Sequence, residues 1–454
     1  MTQPLRTQEP VYLESFEAFQ RDSCSRDPSW LRSLRHEAIS QFKDLGFPTQ
    51  RRGNEEWKYT DIRPIAHIPF RLPTNPLSKP SKTSLLRFPF DMTQRNRLVF
   101  LDGHLEEELS SLLAVPYDKY AVNLTEAIAS SDGTLEKHLA HDVNLKTNPF
   151  VSLNTAFMNE GAFINIPDES TVEEPIYLFF LNTAKEENTI VYPRVLVVAG
   201  EKSKATIIEI HSSLSNNSTK HQYFTNSVTE IALGKDSQLS YYKAQTQPHD
   251  SFHITHTQAI LGQNSNFTSL NFDFGGGLVR NNLNILMNAT GARCTLNGLY
   301  MLTGSQHIDN QVIVDHTQGH TTTRELYKGV LDGQARSVFH GSIIVREGAV
   351  KVDADQSDKN LLLSDHAEAD TKPAFWIYCD DVRCSHGAAC GKLDENALFY
   401  LSSRGISDQA ARALMTHGFV TDIIESIGHT PFRSNIDVLV RNILDQWLSN
   451  TPRT

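Results

Sequence analysis

Cysteine is scarce in this chain: five in 454 residues, an odd number, with no CxxC among them. That argues against a disulfide framework and against a zinc ribbon, and it fits a protein kept in a reducing cytoplasm. Long apolar runs are missing too. The longest near the middle is Ile176–Leu181, far short of the roughly 20 residues a membrane span needs. The opening MTQPLRTQEPVYLE has no apolar h-region, so neither a secretory signal nor a membrane partner is expected. Positive charge is also in short supply. With 42 Lys plus Arg against 53 Asp plus Glu the formal net charge is −11, and a nucleic-acid partner, which demands a basic face, is not expected.

Enzyme motifs are absent or incomplete. No GxSxG occurs. His386–Leu393, HGAACGKL, superficially suggests a phosphate-binding loop, but Gly387 and Gly391 are too close together and Leu393 stands where Ser or Thr would hold magnesium. Asp273, Phe274 and Gly275 spell a kinase tripeptide without its catalytic loop or lysine strand. His316 and His320 have the spacing of metal ligands on a helix, yet Gly319 and Thr321–Thr323 disfavour a helix there. His253 and His256 have the wrong parity to share a strand face.

What is present is ordinary globular composition, 39% apolar and 21% charged, in a chain long enough for two or three domains. From Val11 to Phe47 apolar residues recur at helical spacing, among them Trp30, Leu31, Leu34, Ala38 and Phe42, with a stop at Gly46. Pro64–Lys82 reads as a linker, Arg97–Asp102 as a strand and Asp132–Asp142 as a helix. Residues 1–149 are thus a helix-rich opening with a linker. Over 150–390 the pattern changes to short β-type runs broken by glycine. Gly200, Gly234, Gly262, Gly291 and Gly333 each begin a similar phrase with an apolar residue at its fifth following position (Ala205, Leu239, Phe267, Leu296, Val338), at intervals of 34, 28, 29 and 42 residues. A glycine turn and an inward apolar position recurring about every 30 residues is the mark of a coiled β-solenoid; a β-sandwich is the competing reading.

Residues 391–454 return to helical periodicity. Asp394 is an N-cap for a helix carrying Leu398 and Leu401 that stops at Gly405, a second helix follows Ser407, and a third covers Ser434–Leu448. The second carries Leu414, Met415, Phe419 and Ile423 on one stripe, for which mutual packing is the plain explanation.

Between the β region and these helices lies the densest chemistry, IYCDDVRCSHGAACGKLDENALFYLSSRGI from Ile377, with Cys379, Cys384, His386 and Cys390 within twelve residues. Thiolate and imidazole are ligands for iron, zinc or a cluster. If Phe375–His386 is one extended strand, Cys384 and His386 point one way and Cys379 the other. Such a pair cannot close a tetrahedral site without ligands from elsewhere or from a second subunit.

This stretch resembles the SufB/SufD family of iron-sulfur cluster assembly scaffolds. Asp380, Asp381, Cys384, Ser385, His386, Gly387, Leu393–Glu395, Phe399–Leu401 and Arg404–Ile406 match its C-terminal signature. Gly319–Gly341, Lys359–Pro373, Leu153–Pro167 and Asn54–Ile62 also look like family blocks, and the block with Trp57 and Tyr59 looks most like the SufD branch. The resemblance implies a mainly β protein, a right-handed parallel β-helix (solenoid) flanked by α-helical N-terminal and C-terminal regions. It implies a cytoplasmic, non-catalytic subunit that pairs with a SufB-type paralogue or with a second copy of itself. The C-terminal helices, including Leu414, Met415, Phe419 and Ile423, would dock a SufC-type ATPase. His386, with Cys384 second, would be lent to a transient iron-sulfur cluster at the subunit interface; whether the assembly binds a flavin stays open. Where the SufB paralogue has a cysteine the aligned residue is Ser357, so that strand supplies no thiolate, and Cys379 and Cys390 fall outside the signature. The reading of another class is a solenoid metal-dependent hydrolase or lyase acting on carbohydrate, which needs paired carboxylates or a complete metal site in a groove. Only Asp380 and Asp381 lie close together near the histidine.

Overall fold

The computed structural model describes residues 9–24, 27–50, 54–74, 88–112, 120–130, 133–214 and 221–449. Two helices, Glu9–Ser23 and Ser29–Leu45, open the chain. Of the expected linker, the part beyond Thr74 lies outside the described residues, as does Asp132 of the helix expected next; a helix runs from Gly133 to His138. The centre is a parallel β-solenoid of about eight turns. The chain alternates between two sheets, so each coil contributes one strand to either side. One sheet runs from Arg97–Leu101 through Ile176–Asn182 and Lys204–Ser213 to Arg383–Gly391, and the other from Gly161–Ile166 through Arg194–Ala199 to Glu368–Ile377. Strands of three and five residues from the opening 149 residues, Ala121–Asn123 and Arg97–Leu101, therefore belong to the sheets as well.

Strand alternation explains how one sequence fills three layers. Inward residues such as Ile207, Leu239, Phe267, Leu296 and Ile343 form the core between the sheets. Outward residues of one sheet, including Phe224, Val228 and Ile254, meet Phe150, Leu153 and the N-terminal helices. Outward residues of the other, including Ile208, Tyr242, Leu270 and Val330, are covered by the helices Asp408–Glu425 and Thr430–Ser449 through Val420, Ile424, Phe432 and Val440. Asp394 caps its helix as expected, accepting from the Asn396 amide, and Ser407 caps the next by accepting from the Ala410 amide. No helix among the described residues is long and apolar enough to cross a membrane.

The true repeat differs from the glycine phrase. Lys204, Gln238, Asn266, Arg293, Thr322, Asp353 and Arg383 are mutual partners along one sheet, at intervals of 34, 28, 27, 29, 31 and 30 residues. Two positions before the first six of these stand Lys202, Asp236, Asn264, Gly291, His320 and Lys351, all with positive φ between 54° and 76°. The landmark of the coil is this left-handed residue, which is glycine only once. Gly234 and Gly262 begin the phrase for another reason: a Cβ there would lie 2.8 Å from the Gly200 carbonyl carbon or 2.5 Å from the Leu233 oxygen of the preceding coil. Gly291 is therefore two residues out of frame, and Gly333, matched to Gly304, lies at the opposite corner.

The Asn54–Ile62 block anchors the N-terminal region to the solenoid. Trp57 is buried with the Arg280 guanidinium 3.7 Å from its ring centre, and Arg280 also donates to Asp309 at 2.5 Å and to the Glu56 carbonyl at 3.0 Å. Thr60 donates to the same Asp309 carboxylate. A fully buried arginine is tolerable only with such a set of partners.

Candidate functional site

The last coil has no strand beyond it among the described residues. Glu368–Ile377 ends one sheet and Arg383–Gly391 the other, and most residues of both are exposed or half-exposed. Phe375–His386 is thus not one strand. The chain leaves the first sheet at Ile377, turns through Tyr378–Val382 and enters the second at Arg383. The turn brings Phe375 back opposite His386, and their rings stack with centroids 4.4 Å apart and planes 26° from parallel.

Cys384 and His386 share the inward face of the last strand, as the spacing predicts. Cys384 is half-buried against the end of the solenoid core, while His386 is exposed. Burial pushes the Cys384 thiol above its ordinary value, with Asp353 acting in the same direction and a hydrogen bond at Ala354 opposing it. The thiol is therefore the protonated form at neutral pH. Cys379 departs from the expected strand parity: it sits in the turn and packs against the same core as Cys384. Cys390 lies four residues after His386 on the inward face, paired with Asn360, and burial followed by the nearby Asp358 raises its thiol. Asp358 is itself pushed up to about 6 by burial. Among the described residues no group of three or more His, Cys, Asp or Glu side chains is arranged to hold a metal ion.

Other sequence expectations separate cleanly. Ser357 pairs with Gly387 but lies on the outward face, between the inward Gln356 and Asp358. Gly387 and Gly391 lie within the last strand, so HGAACGKL forms no phosphate-cradling loop. His316 is buried between Thr321 and Thr323, and His320 occupies a left-handed corner. Asp380 and Asp381 are exposed in the turn, where Asp381 pairs with Lys351 at 2.8 Å. Of the stripe Leu414, Met415, Phe419 and Ile423, only Leu414 is well exposed, at 56%. Met415 is half-buried, Phe419 lies against Lys328 and the helix-covered core, and Ile423 is fully buried in that core. Ile423 therefore faces the chain's own sheet, and a stripe facing a sheet is taken up by the protein's own packing.

No motif or spacing marks the stacking of Phe375 on His386, nor the exposure of the large apolar side chains in and after the last coil. Trp376 is 55% exposed, Tyr378 60% and Phe399, on the helix Glu395–Ser403, 75%.

Two family models match. The SufBD core domain of SUF-system iron-sulfur cluster assembly covers residues 180–419, and the SufBD protein N-terminal region covers residues 6–178. The chain is 31% identical over 410 residues to an iron-sulfur cluster assembly SufBD family protein of Synechocystis, covering 88% of each chain. It is 28% identical over 392 residues to the iron-sulfur cluster assembly protein SufD of Escherichia coli, covering 86% of this chain and 87% of the relative. Protein ABCI7 of Arabidopsis thaliana, described as chloroplastic, is 26% identical over 452 residues, with 96% and 91% covered.

Proposed function

The chain belongs to the SufBD family of iron-sulfur cluster assembly proteins, and from that premise we propose that it is a non-catalytic scaffold subunit whose bare solenoid end meets a partner solenoid around a nascent cluster. The observation that carries this reading is the placement of His386: inward-facing, exposed, and stacked on Phe375 at an end where Trp376 and Tyr378 are left in water. A SufB-type paralogue is the partner, with a second copy of this chain as the alternative, because the edges of both last strands and the apolar rim suit another coil end. The cluster is cargo, held between His386 and ligands from across the interface, with Cys384 contributing once a metal displaces its proton.

A SufC-type ATPase docks on the C-terminal helices through Leu414, Met415 and the exposed Phe399, while Phe419 and Ile423 hold those helices to the sheet. No flavin site is assigned, and the five free cysteines favour a reducing cytoplasm. The carbohydrate-enzyme reading is disfavoured by Asp380 and Asp381, which stand in a solvent-facing turn rather than in a groove.

The test is anaerobic co-expression with SufB-type and SufC-type subunits, measuring iron, sulfide and visible absorbance. His386→Ala is expected to keep folding and docking while cluster yield falls sharply, and Cys384→Ser to lose less. Normal cluster in His386→Ala removes the residue from the mechanism.

A further inference from the structure

One inward column of the solenoid changes character as it nears the bare end. Along adjacent strands, directly paired positions read Tyr241, Ser269 and Leu296, then Glu325, Gln356 and His386. Strands in a sheet lie about 4.8 Å apart, so the three last side chains are immediate neighbours on the inward face. Gln356 is 1% exposed and donates through Nε2 to Glu325 Oε2 at 2.9 Å. Its Oε1 is buried and has no hydrogen-bond partner. A buried acceptor left without a donor is costly and uncommon, and the next side chain along the column is His386.

Resting on the reading of His386 as the residue lent to the cluster, we propose that Gln356 is its positioning residue: the amide oxygen accepts one imidazole N–H and so presents the other ring nitrogen, unprotonated, to the metal. Phe375 already confines the ring plane by stacking; what a stack leaves undetermined is which nitrogen carries the proton, and a single fixed acceptor determines that. In this structure the amide is oriented by its Nε2, which donates to Glu325 and leaves Oε1 as the free acceptor. Space has been cleared for it as well. Gly341, on the opposite sheet, would carry a Cβ 2.1 Å from Gln356 Nε2, so a side chain there would expel the amide from its place. Burial holds the Glu325 carboxyl up at about 8, which keeps the column neutral behind the ligand at physiological pH.

The test separates this role from the cluster reading itself. In the full chain labelled with ¹⁵N-histidine, long-range nitrogen–proton correlations report the tautomer of His386, whose signals are identified by their loss in His386→Ala. Wild type is expected to show one dominant tautomer. Gln356→Met, similar in volume but without an acceptor, is expected to show both, and its assembled complex to lose iron affinity by about 10-fold to 100-fold. The exchange Glu325→Gln with Gln356→Glu restores an acceptor beside His386 and is expected to restore the single tautomer; it also serves where Gln356→Met does not fold. Unchanged ring signals in Gln356→Met, or mixed tautomers in a folded exchange variant, overturn the proposal. Normal cluster in His386→Ala overturns the cluster reading instead and leaves the tautomer result standing.

Discussion

The two ends of the solenoid are built oppositely. At the first, Gly161–Ile166 is almost wholly buried, and a strand of only three residues, Ala121–Asn123, lies antiparallel on it and leads into the helix Leu124–Ala129. A parallel stack cannot continue past an antiparallel strand, so this end is stopped within the chain. At the other end Glu368–Ile377 and Arg383–Gly391 carry no further strand among the described residues, and their inward residues Phe375, Cys384 and His386 close the core only in part. The same repeat is thus covered by the chain itself at one end and leaves its inward side chains partly open to solvent at the other.

The largest effect that sharpens this contrast is on stability. Ile164, fully buried at the stopped end, is expected to cost about 2–5 kcal/mol when changed to Ala, whereas Ile377→Ala, in the last coil and 39% exposed, is expected to cost less than about 1 kcal/mol. Urea unfolding of both variants reads the difference; equal costs would mean that the last coil is as firmly packed as the first.

Next is association. Trp376→Ser is expected to leave the unfolding midpoint of the isolated chain almost unchanged but to weaken pairing by about 2 kcal/mol or more, as loss of a central aromatic anchor does. Sedimentation of the co-expressed subunits measures it, and unaltered pairing would place the interface elsewhere.

Much of this was legible in the sequence, for identifiable reasons. Alternation within the coils and the N-cap at Asp394 are local signals, and the structure has both; the single strand expected over Phe375–His386, broken by the turn Tyr378–Val382, is the exception. The i, i+2 pairing of Cys384 with His386 is local too. Coil register is not: intervals between 27 and 34 residues and a left-handed corner filled by Lys, Asp, Asn, Gly or His hide the frame, and a slip of one residue reverses every inward side chain. Phe375 against His386, and Gln356 between Glu325 and His386, depend on that register and so had no sequence signature. The burial of Ile423 escaped for a related reason, since helical periodicity shows that a stripe exists but not whether its own sheet or another protein covers it.

The pH dependence of stability probes the coils just behind the bare end. Burial raises Glu325 from an ordinary 4.5 to about 8, so the folded chain holds this proton through a range in which the unfolded chain has released it. The stabilisation is complete below the unfolded value and is lost as pH rises toward the folded one, with a slope of up to about 1.4 kcal/mol per pH unit. Glu325→Gln is expected to flatten the stability profile between pH 5 and 8, measured by urea unfolding at fixed ionic strength. An identical slope in wild type and variant would show that the carboxyl is solvated.

The smallest effect concerns the stack over the bare end. Phe375 and His386 lie on strands of different sheets, so their contact joins the two edges of the last coil. An aromatic pair of this geometry contributes about 0.5–1.5 kcal/mol beyond area burial, and exposure of the imidazole places this one toward the lower limit. A double-mutant cycle with Phe375→Leu and His386→Ala isolates the coupling, because each single change removes the stack while the double change removes it only once. A coupling energy near zero would mean that the rings touch without holding each other, and that the orientation of His386 depends on Gln356 alone.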